Sequence, residues 1–139
     1  MYRKILHGND ASDTAFKALT QAIDLAKIYG SELHSIYVEE VTHYAGTVGE
    51  FIEEKEIQNG FIADAIKKAS SLAEQNGIIL HSHIVVGHEV KSIVEFIKIN
   101  NFDLLIIGFM GRSAIYERVM GSTCQSLVRL APCSVLVVK

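Results

Sequence analysis

Three glycines and a serine near the end of the chain form the pattern best suited to chemistry. Gly108 and Gly111 follow the apolar run 104–107, and nine residues separate Gly111 from Gly121 and Ser122. A strand that ends in glycines and leads into a helix brings free backbone N–H groups together, and such groups bind anions. The spacing G-x2-G-x9-G-S therefore predicts a phosphate site. We expect a Cβ at any of the three glycines to obstruct the phosphate or to forbid a positive φ.

Side chains near this pattern have two interpretations each. Arg112 supplies charge and Ser122 a hydroxyl donor for a phosphate; in an ordinary loop, Ser122 only caps the helix and Arg112 is solvated. Asp10 lies in the cluster Asn-Asp-Ala-Ser-Asp at 9–13. Its carboxylate either accepts hydrogen bonds from a sugar or base, or belongs to a plain turn.

Histidines offer a second chemistry, metal binding. His81 and His83 are two residues apart, so their imidazoles lie on one face of a strand. No third ligand is evident, and polar side chains are also usual on an exposed edge strand, so we predict no metal site. His7 is interpreted as a hydrogen-bonded residue of the core or of a pocket rim.

Hydrophobic periodicity predicts the elements that position these residues. Five short apolar segments alternate with four segments of helical period, and glycines 30 and 77 end the first two helices. The order βαβαβαβαβ favours a doubly wound parallel α/β sheet with helices on both faces and ligands at the carboxyl ends of the strands. The predicted strands are 3–8, 33–38, 78–86, 104–107 and 134–138. The first predicted helix begins after residue 10, and the second runs through 57–72 after a loop at 39–49. The third and fourth predicted helices cover 90–99 and 122–130.

Length and composition limit the classes of protein. With 139 residues, 49% hydrophobic and 21% charged, we expect one folded domain spanning 1–139. A net charge of −3 without a basic run argues against nucleic acid as a partner. No apolar stretch approaches the roughly 20 residues that span a bilayer, and no signal peptide is visible, so we expect a cytoplasmic protein without membrane contact. Cys124 and Cys133 are predicted to be buried thiols.

The chain resembles the universal stress protein family over essentially its whole length. The similarity is carried by Lys4-Ile-Leu, Asp10-Ala-Ser-Asp and Val85-Val-Gly, and most specifically by Asp103-Leu-Leu-Ile-Ile-Gly, the glycine pattern and Ala131-Pro-Cys-Ser-Val-Leu-Val-Val. The resemblance implies an adenine nucleotide alpha hydrolase-like fold with a five-stranded parallel sheet of order 3-2-1-4-5. Family members with G-x2-G-x9-G-[ST] resemble ATP binders.

Carried onto this chain, the resemblance implies an ATP site, with Mg or Mn as the accompanying ion. Residues 108–114 would form the phosphate loop and 121–123 the following helix N-terminus. Gly8, Asp10 and Val38 would face the adenosine, although Val38 is nearly as well explained as core, and Gly87 would lie near the ribose. The implied ligands are Gly8, Asp10, Val38, Gly87, Gly108, Phe109, Met110, Gly111, Arg112, Ser113, Ala114, Gly121, Ser122 and Thr123.

The chain departs from the family pattern in three places. His7-Gly8-Asn9 stands where an apolar residue, Pro and a small polar residue are frequent, Ala11 replaces a frequent Gly, and Phe109-Met110 replaces a small polar pair. We expect the last pair to contribute backbone rather than side chains. The altered first loop leaves the base less certain than the phosphates.

Two functional hypotheses follow. In the first, a nucleotide-dependent regulator of the stress response binds ATP, which orders the loops 39–50 and 110–120 for an unidentified protein partner. In the second, a nucleotide-independent homodimeric scaffold pairs its edge strand 134–138 with a second copy. An adenylylating enzyme is a weaker alternative, since 139 residues leave little room for a substrate domain.

Catalytic signatures are missing from the sequence. It contains no Walker A segment, no G-x-S-x-G elbow, no dinucleotide G-x-G-x-x-G and no H-E-x-x-H. Glu117 either orients a water molecule or, as we favour, is a solvated loop side chain. We therefore assign no catalytic residue and expect slow ATP hydrolysis at most.

Overall fold

The structure, a computed structural model, describes residues 1–40, 48–111 and 120–139, with the backbone alone for 48–58. In these ranges, five strands alternate with four helices, as the periodicity predicts. None of these helices is both long and apolar enough to cross a membrane. The elements are β1 Lys4–Gly8, α1 Asp13–Tyr29, β2 Glu32–Glu39, α2 Val48–Gln75, β3 Leu80–Val86, α3 Glu89–Asn100, β4 Leu104–Gly108, α4 Ser122–Leu130 and β5 Ser134–Val138.

The strands form one parallel sheet of order β3-β2-β1-β4-β5. This order confirms the predicted doubly wound fold. After β1 the chain runs outward to β2 and β3, then returns past β1 to form β4 and β5. The connections that follow β1 and β4 therefore leave toward opposite faces of the sheet, which opens a crevice at the carboxyl ends of these two strands.

Two apolar layers cover the sheet. On one face, Ile5 and Leu33 pack against α1 and α2. On the other, Leu6, Ile36 and Leu105 pack against α3 and α4. The apolar run of β4 is buried on both faces, as its unbroken hydrophobicity predicts.

The two cysteines lie on the second face of the sheet, and both thiols are free. Cys124 is buried and Cys133 half-buried, so the predicted burial is complete only for Cys124. Burial raises the pKa of both thiols. Neither is therefore an activated nucleophile.

Local signals set the ends of the first two helices. The Oγ of Ser12 accepts a hydrogen bond from the N–H of Ala15 at 3.2 Å and caps α1. Gly30 after α1 and Gly77 after α2 have φ of 64° and 71°, a conformation that glycine adopts without strain. Both predicted glycine stops are confirmed.

Two boundaries differ from the prediction by more than one residue. Helix α2 already begins at Val48, so Gly49 lies inside it rather than in the preceding loop. Strand β3 begins at Leu80 instead of Ile78. The N–H of Ile78 donates to the Ala73 carbonyl at 3.0 Å, which keeps this residue at the end of α2.

His7 is fully buried on an interior strand, as a hydrogen-bonded core residue. Its Nε2 lies 2.8 Å from the carbonyl oxygen of Ala15, which only accepts, so Nε2 carries the proton. Its Nδ1 accepts from the hydroxyl of Ser35 at 2.9 Å. Burial lowers the pKa of His7 from 6.5 to about 4, although the Ala15 hydrogen bond opposes this. The core interpretation of His7 is confirmed.

The neutral, buried His7 predicts that acid destabilises the fold. Between pH 6.5 and about 4, the unfolded chain binds a proton that the folded chain does not. The free energy of unfolding therefore falls as the pH falls through this interval, by up to about 3 kcal/mol. We expect His7→Gln to lack this contribution. Urea unfolding of wild type and variant at a series of pH values measures the difference.

The control for this experiment is His88→Asn. His88 is exposed and caps α3, and asparagine retains a capping oxygen. We expect this variant to follow the pH dependence of the wild type. Parallel pH profiles for wild type and His7→Gln would contradict the assignment of His7.

Candidate functional site

A cleft of about 420 Å³ opens at the carboxyl ends of β1 and β4, where the strand order reverses. Its walls are the turn after β1, the loop after β4 and the first turns of α3 and α4. The cleft brings together eight of the predicted ligand residues, namely Gly8, Asp10, Gly108, Met110, Gly111, Gly121, Ser122 and Thr123.

The other predicted ligands do not line this cleft in the described part of the chain. Val38 is half-buried and packs against the core layer under α3 and α4. Gly87 follows β3, where its N–H donates to the carbonyl of Glu39 at 2.9 Å. Arg112, Ser113 and Ala114 lie outside the described residues, as do Glu117 and most of the loops 39–50 and 110–120.

Phe109 connects neighbouring elements through its backbone. Its N–H donates to the carbonyl of Val138 at 2.8 Å, and its carbonyl accepts from the N–H of Gly121 at 2.9 Å. The ring lies under Lys139, whose Nζ is 5.3 Å from the ring centroid. Phe109 thus connects the end of β5 to the start of α4.

The N-terminus of α4 faces the cleft without a side-chain cap. Gly121 occupies the N-cap position in an extended conformation, with φ −62°. The first N–H to bond back within the helix is that of Gln125, to the Gly121 carbonyl at 3.0 Å. The N–H groups of residues 122–124 precede this bond and, with the positive end of the helix dipole, are suited to an anion. Ser122 is exposed and is the first helical residue, so the prediction that it caps α4 is wrong.

Packing within the protein accounts for two glycines of the pattern, Gly108 and Gly121. A Cβ on Gly108 would lie 2.6 Å from Thr14 Oγ1 and 2.8 Å from the Thr14 carbonyl carbon. A Cβ on Gly121 would lie 3.3 Å from the backbone nitrogen of Gly111. None of the three glycines has a positive φ, so that part of the expectation is wrong. The missing side chains allow α1, β4 and α4 to meet at one point.

Asp10 serves the turn after β1 and also reaches the cleft. Its Oδ1 accepts a hydrogen bond from the N–H of Ser12 at 2.9 Å. Its Oδ2 faces Gly111, at 3.4 Å from the position of a Cβ on that residue. Oδ1 of Asp10 therefore stabilises the turn, and Oδ2 lies at the candidate site.

Asn9 supports the turn beside the cleft, a role that the sequence reasoning missed. It is buried, its Oδ1 accepts from the N–H of Ala11 at 2.8 Å, and its Nδ2 donates to the Tyr37 hydroxyl at 3.1 Å. Burial raises the pKa of Tyr37 to about 12, so the hydroxyl stays protonated. Asn9 thereby ties the turn that carries Asp10 to β2.

Glu89 is a second missed residue and a second carboxylate in the cleft lining. Its Oε2 accepts from Thr123 Oγ1 at 3.3 Å, and its N–H donates to Glu40 Oε1 at 2.9 Å. The hydrogen bond between Thr123 and Glu89 joins the first turns of α3 and α4. Its place directly after the Gly87-His88 turn, at a carboxyl strand end, was the signal in the sequence. Asp10 and Glu89 offer the oxygen ligands that Mg²⁺ prefers.

Fold and cleft together define a doubly wound α/β protein with its candidate site at the switch point of the sheet. The profile of the universal stress protein family matches residues 1–139, and the chain belongs to this family. It is 32% identical to the universal stress protein MJ0531 of Methanocaldococcus jannaschii, over 100% of this chain and 83% of that one.

Solved structures show the same fold. The universal stress protein UspA from Lactobacillus plantarum has a TM-score of 0.90 at 26% identity, over 99% of this chain and 98% of that one. A universal stress protein in complex with cAMP has a TM-score of 0.77 at 24% identity, over 99% and 97% of the two chains.

Ala11 is the strained residue of the site. Its φ is 65°, a left-handed conformation that a Cβ makes unfavourable. We expect Ala11→Gly to raise the free energy of unfolding by about 0.5–1 kcal/mol, with part of the gain offset by the lost packing of the methyl group. Urea unfolding measures the change.

The matched control is the same substitution at Ala63, an exposed residue inside α2. There the glycine is expected to destabilise the protein by about 1 kcal/mol. A loss of stability at both positions would show that the left-handed conformation of Ala11 carries no strain.

Proposed function

We propose that this universal stress protein binds ATP in the cleft and acts as a nucleotide-dependent regulator in the stress response. The observation that carries the proposal is the uncapped N-terminus of α4, which faces the glycine loop across the cleft. Three consecutive N–H groups and a helix dipole at one point form an anion site made by the main chain. A triphosphate is the ligand that uses such donors most fully.

The charged groups of the lining indicate in which form ATP would bind. Asp10 and Glu89 line the cleft, and its described lining includes no lysine or arginine. Carboxylate and phosphate oxygens are both ligands that Mg²⁺ accepts, so one ion can join the Asp10 side of the cleft to the phosphates. We therefore infer that ATP binds as its complex with Mg²⁺ or Mn²⁺.

The rest of the cleft suits a nucleoside. Ile93, Ile107 and Met120 add apolar surface to the lining, and the volume of about 420 Å³ lies within the usual range for small-molecule sites. The family member crystallised with cAMP holds an adenine nucleotide on the same fold. We assign no catalytic residue and expect slow hydrolysis at most.

The test places a negative charge at the helix N-terminus. Ser122→Asp puts a carboxylate beside the N–H groups of α4, where it repels phosphate and stabilises the helix dipole. We expect calorimetric titration with MgATP to show binding weakened about tenfold or more, a loss of about 1.4 kcal/mol, with thermal stability unchanged or raised. Weaker ATP binding without a loss of thermal stability distinguishes a ligand-binding role of this position from a structural one.

Ser122→Ala is the matched control and removes only the hydroxyl. We expect it to weaken binding much less than Ser122→Asp. Wild-type protein that binds no ATP in the presence of Mg²⁺ or Mn²⁺ would refute the proposal. Unchanged binding by Ser122→Asp would refute the placement of the phosphates at α4.

A second candidate function, a nucleotide-independent homodimeric scaffold, is favoured by the edge of the sheet at β5. This strand pairs with β4 alone among the described strands, so its outer edge offers free backbone groups. Val128 and Leu130 of the adjacent α4 are 45% and 59% exposed. A second copy paired along 134–138 would cover both the strand edge and nearby apolar surface.

Light scattering at micromolar concentration tests this scaffold. The scaffold predicts a dimer whose mass and stability do not change when MgATP is added. A monomer under these conditions would contradict it, and a dimer that forms or dissociates with ATP would favour the regulator.

A further inference from the structure

Four side chains form a cluster at the end of the sheet opposite the cleft. Glu32 and His34 come from the start of β2, and His81 and His83 from β3. His34 lies directly opposite His81 in the strand register. The His34 ring stacks with both neighbours, at centroid distances of 4.6 Å to His81 and 5.0 Å to His83. We refer to these four residues as the histidine cluster.

We propose that Glu32, His34 and His81 bind a borderline divalent transition ion such as Zn²⁺, at a site separate from the nucleotide cleft. One ligand atom from each residue lies within 4.8 Å of the others. Two imidazoles and a carboxylate form a donor set that zinc accepts, with a water molecule as the fourth ligand. Two of the three ligands therefore come from β2, and β3 supplies one of its two histidines.

The spacing requires only small adjustments. Ligand atoms on one tetrahedral zinc are roughly 3.3 Å apart, given metal–ligand distances of about 2.0–2.2 Å. The side chain of Glu32 is 53% exposed and His81 is exposed, so both can rotate. Their exposure also gives the ion and its water access from solvent.

His34 is the fixed member of the cluster. It is buried, its Nδ1 lies 2.7 Å from His83 Nε2, and its Nε2 lies 2.7 Å from Glu32 Oε1. We assign Nε2 as the metal ligand because Nδ1 is held by His83. Without an ion, the Nε2–H of His34 donates to Glu32, and His34 Nδ1 accepts from the Nε2–H of His83. A bound ion takes the place of the Nε2 proton; His34 then carries its proton on Nδ1 and donates it to His83 Nε2, and His83 carries its own proton on Nδ1. Such an outer partner orients a ligating imidazole, which makes His83 a positioning residue.

The surroundings favour neutral imidazoles. Burial lowers the pKa of His34 and of His83, which leaves lone pairs free for a metal. Phe102 meets His34 edge-on at 5.1 Å, and Phe96 lies 4.9 Å from His83, so the inner side is apolar. Lys4 is the nearby cation, and its Nζ is held by the Asn100 carbonyl at 2.8 Å. Glu32 provides the opposing negative charge.

Calorimetric titration with Zn²⁺ tests the site on protein freed of nucleotide, since ATP itself binds divalent ions. The wild type is expected to bind one Zn²⁺ per chain with micromolar affinity or better, and to show no such binding of Mg²⁺. His81→Gln, at an exposed position, should weaken binding at least about tenfold, and His83→Gln by about 10–100-fold as an outer partner. His88→Asn, at the other end of β3, is the histidine control and should bind as the wild type does.

Two further measurements separate this site from other sources of binding. Co²⁺ bound at the histidine cluster should give a visible spectrum without the charge-transfer band of a thiolate, which excludes Cys124 and Cys133. Ser122→Asp should retain full Zn²⁺ affinity whatever its effect on ATP. The proposal is overturned if the wild type shows no saturable Zn²⁺ binding in the micromolar range. It is equally overturned if His81→Gln binds Zn²⁺ as tightly as the wild type.

Discussion

The close contact between the end of β4 and the start of α1 determines the shape of the cleft. Because Gly108 has no side chain, Thr14 approaches to a distance that a Cβ would forbid. The Thr14 hydroxyl then donates to the carbonyl of Met110 and holds the loop after β4. In that loop the carbonyl of Phe109 binds the N–H of Gly121, which sets where α4 begins. The direction of the free amides of α4 thus depends on one missing methyl group.

Buried polar groups hold the other wall of the cleft. A polar side chain in the core is costly unless it is hydrogen-bonded. His7 satisfies both ring nitrogens with Ala15 and Ser35, and Asn9 binds both Ala11 and Tyr37. Each of these two residues bonds the turn after β1 or the helix it leads into. This wall is therefore held by hydrogen bonds that require these particular side chains.

Features that depend on neighbours in sequence were predictable, and those that depend on distant contacts were not. The apolar run of β4 and the glycine after α1 are local, and both predictions are confirmed. The reason for Gly108 lies in its contact with α1, far away in the chain, so a ligand explanation was equally consistent with the sequence. Ser122 is displaced from the N-cap position by Gly121 because the Phe109 carbonyl binds that residue. The histidine cluster required the register of two parallel strands, which the separate patterns of β2 and β3 do not contain.

The two candidate sites differ in what they require of the sequence. The cleft offers main-chain N–H groups, whose positions follow from the backbone, whereas the histidine cluster consists of side chains alone. A relative with a TM-score of 0.90 at 26% identity keeps the backbone while most side chains differ. An anion site made by the main chain is inherited with such a fold, provided that the glycines at its contacts remain. A site made by Glu32, His34 and His81 is lost with one substitution, so it has to be established by measurement on this chain.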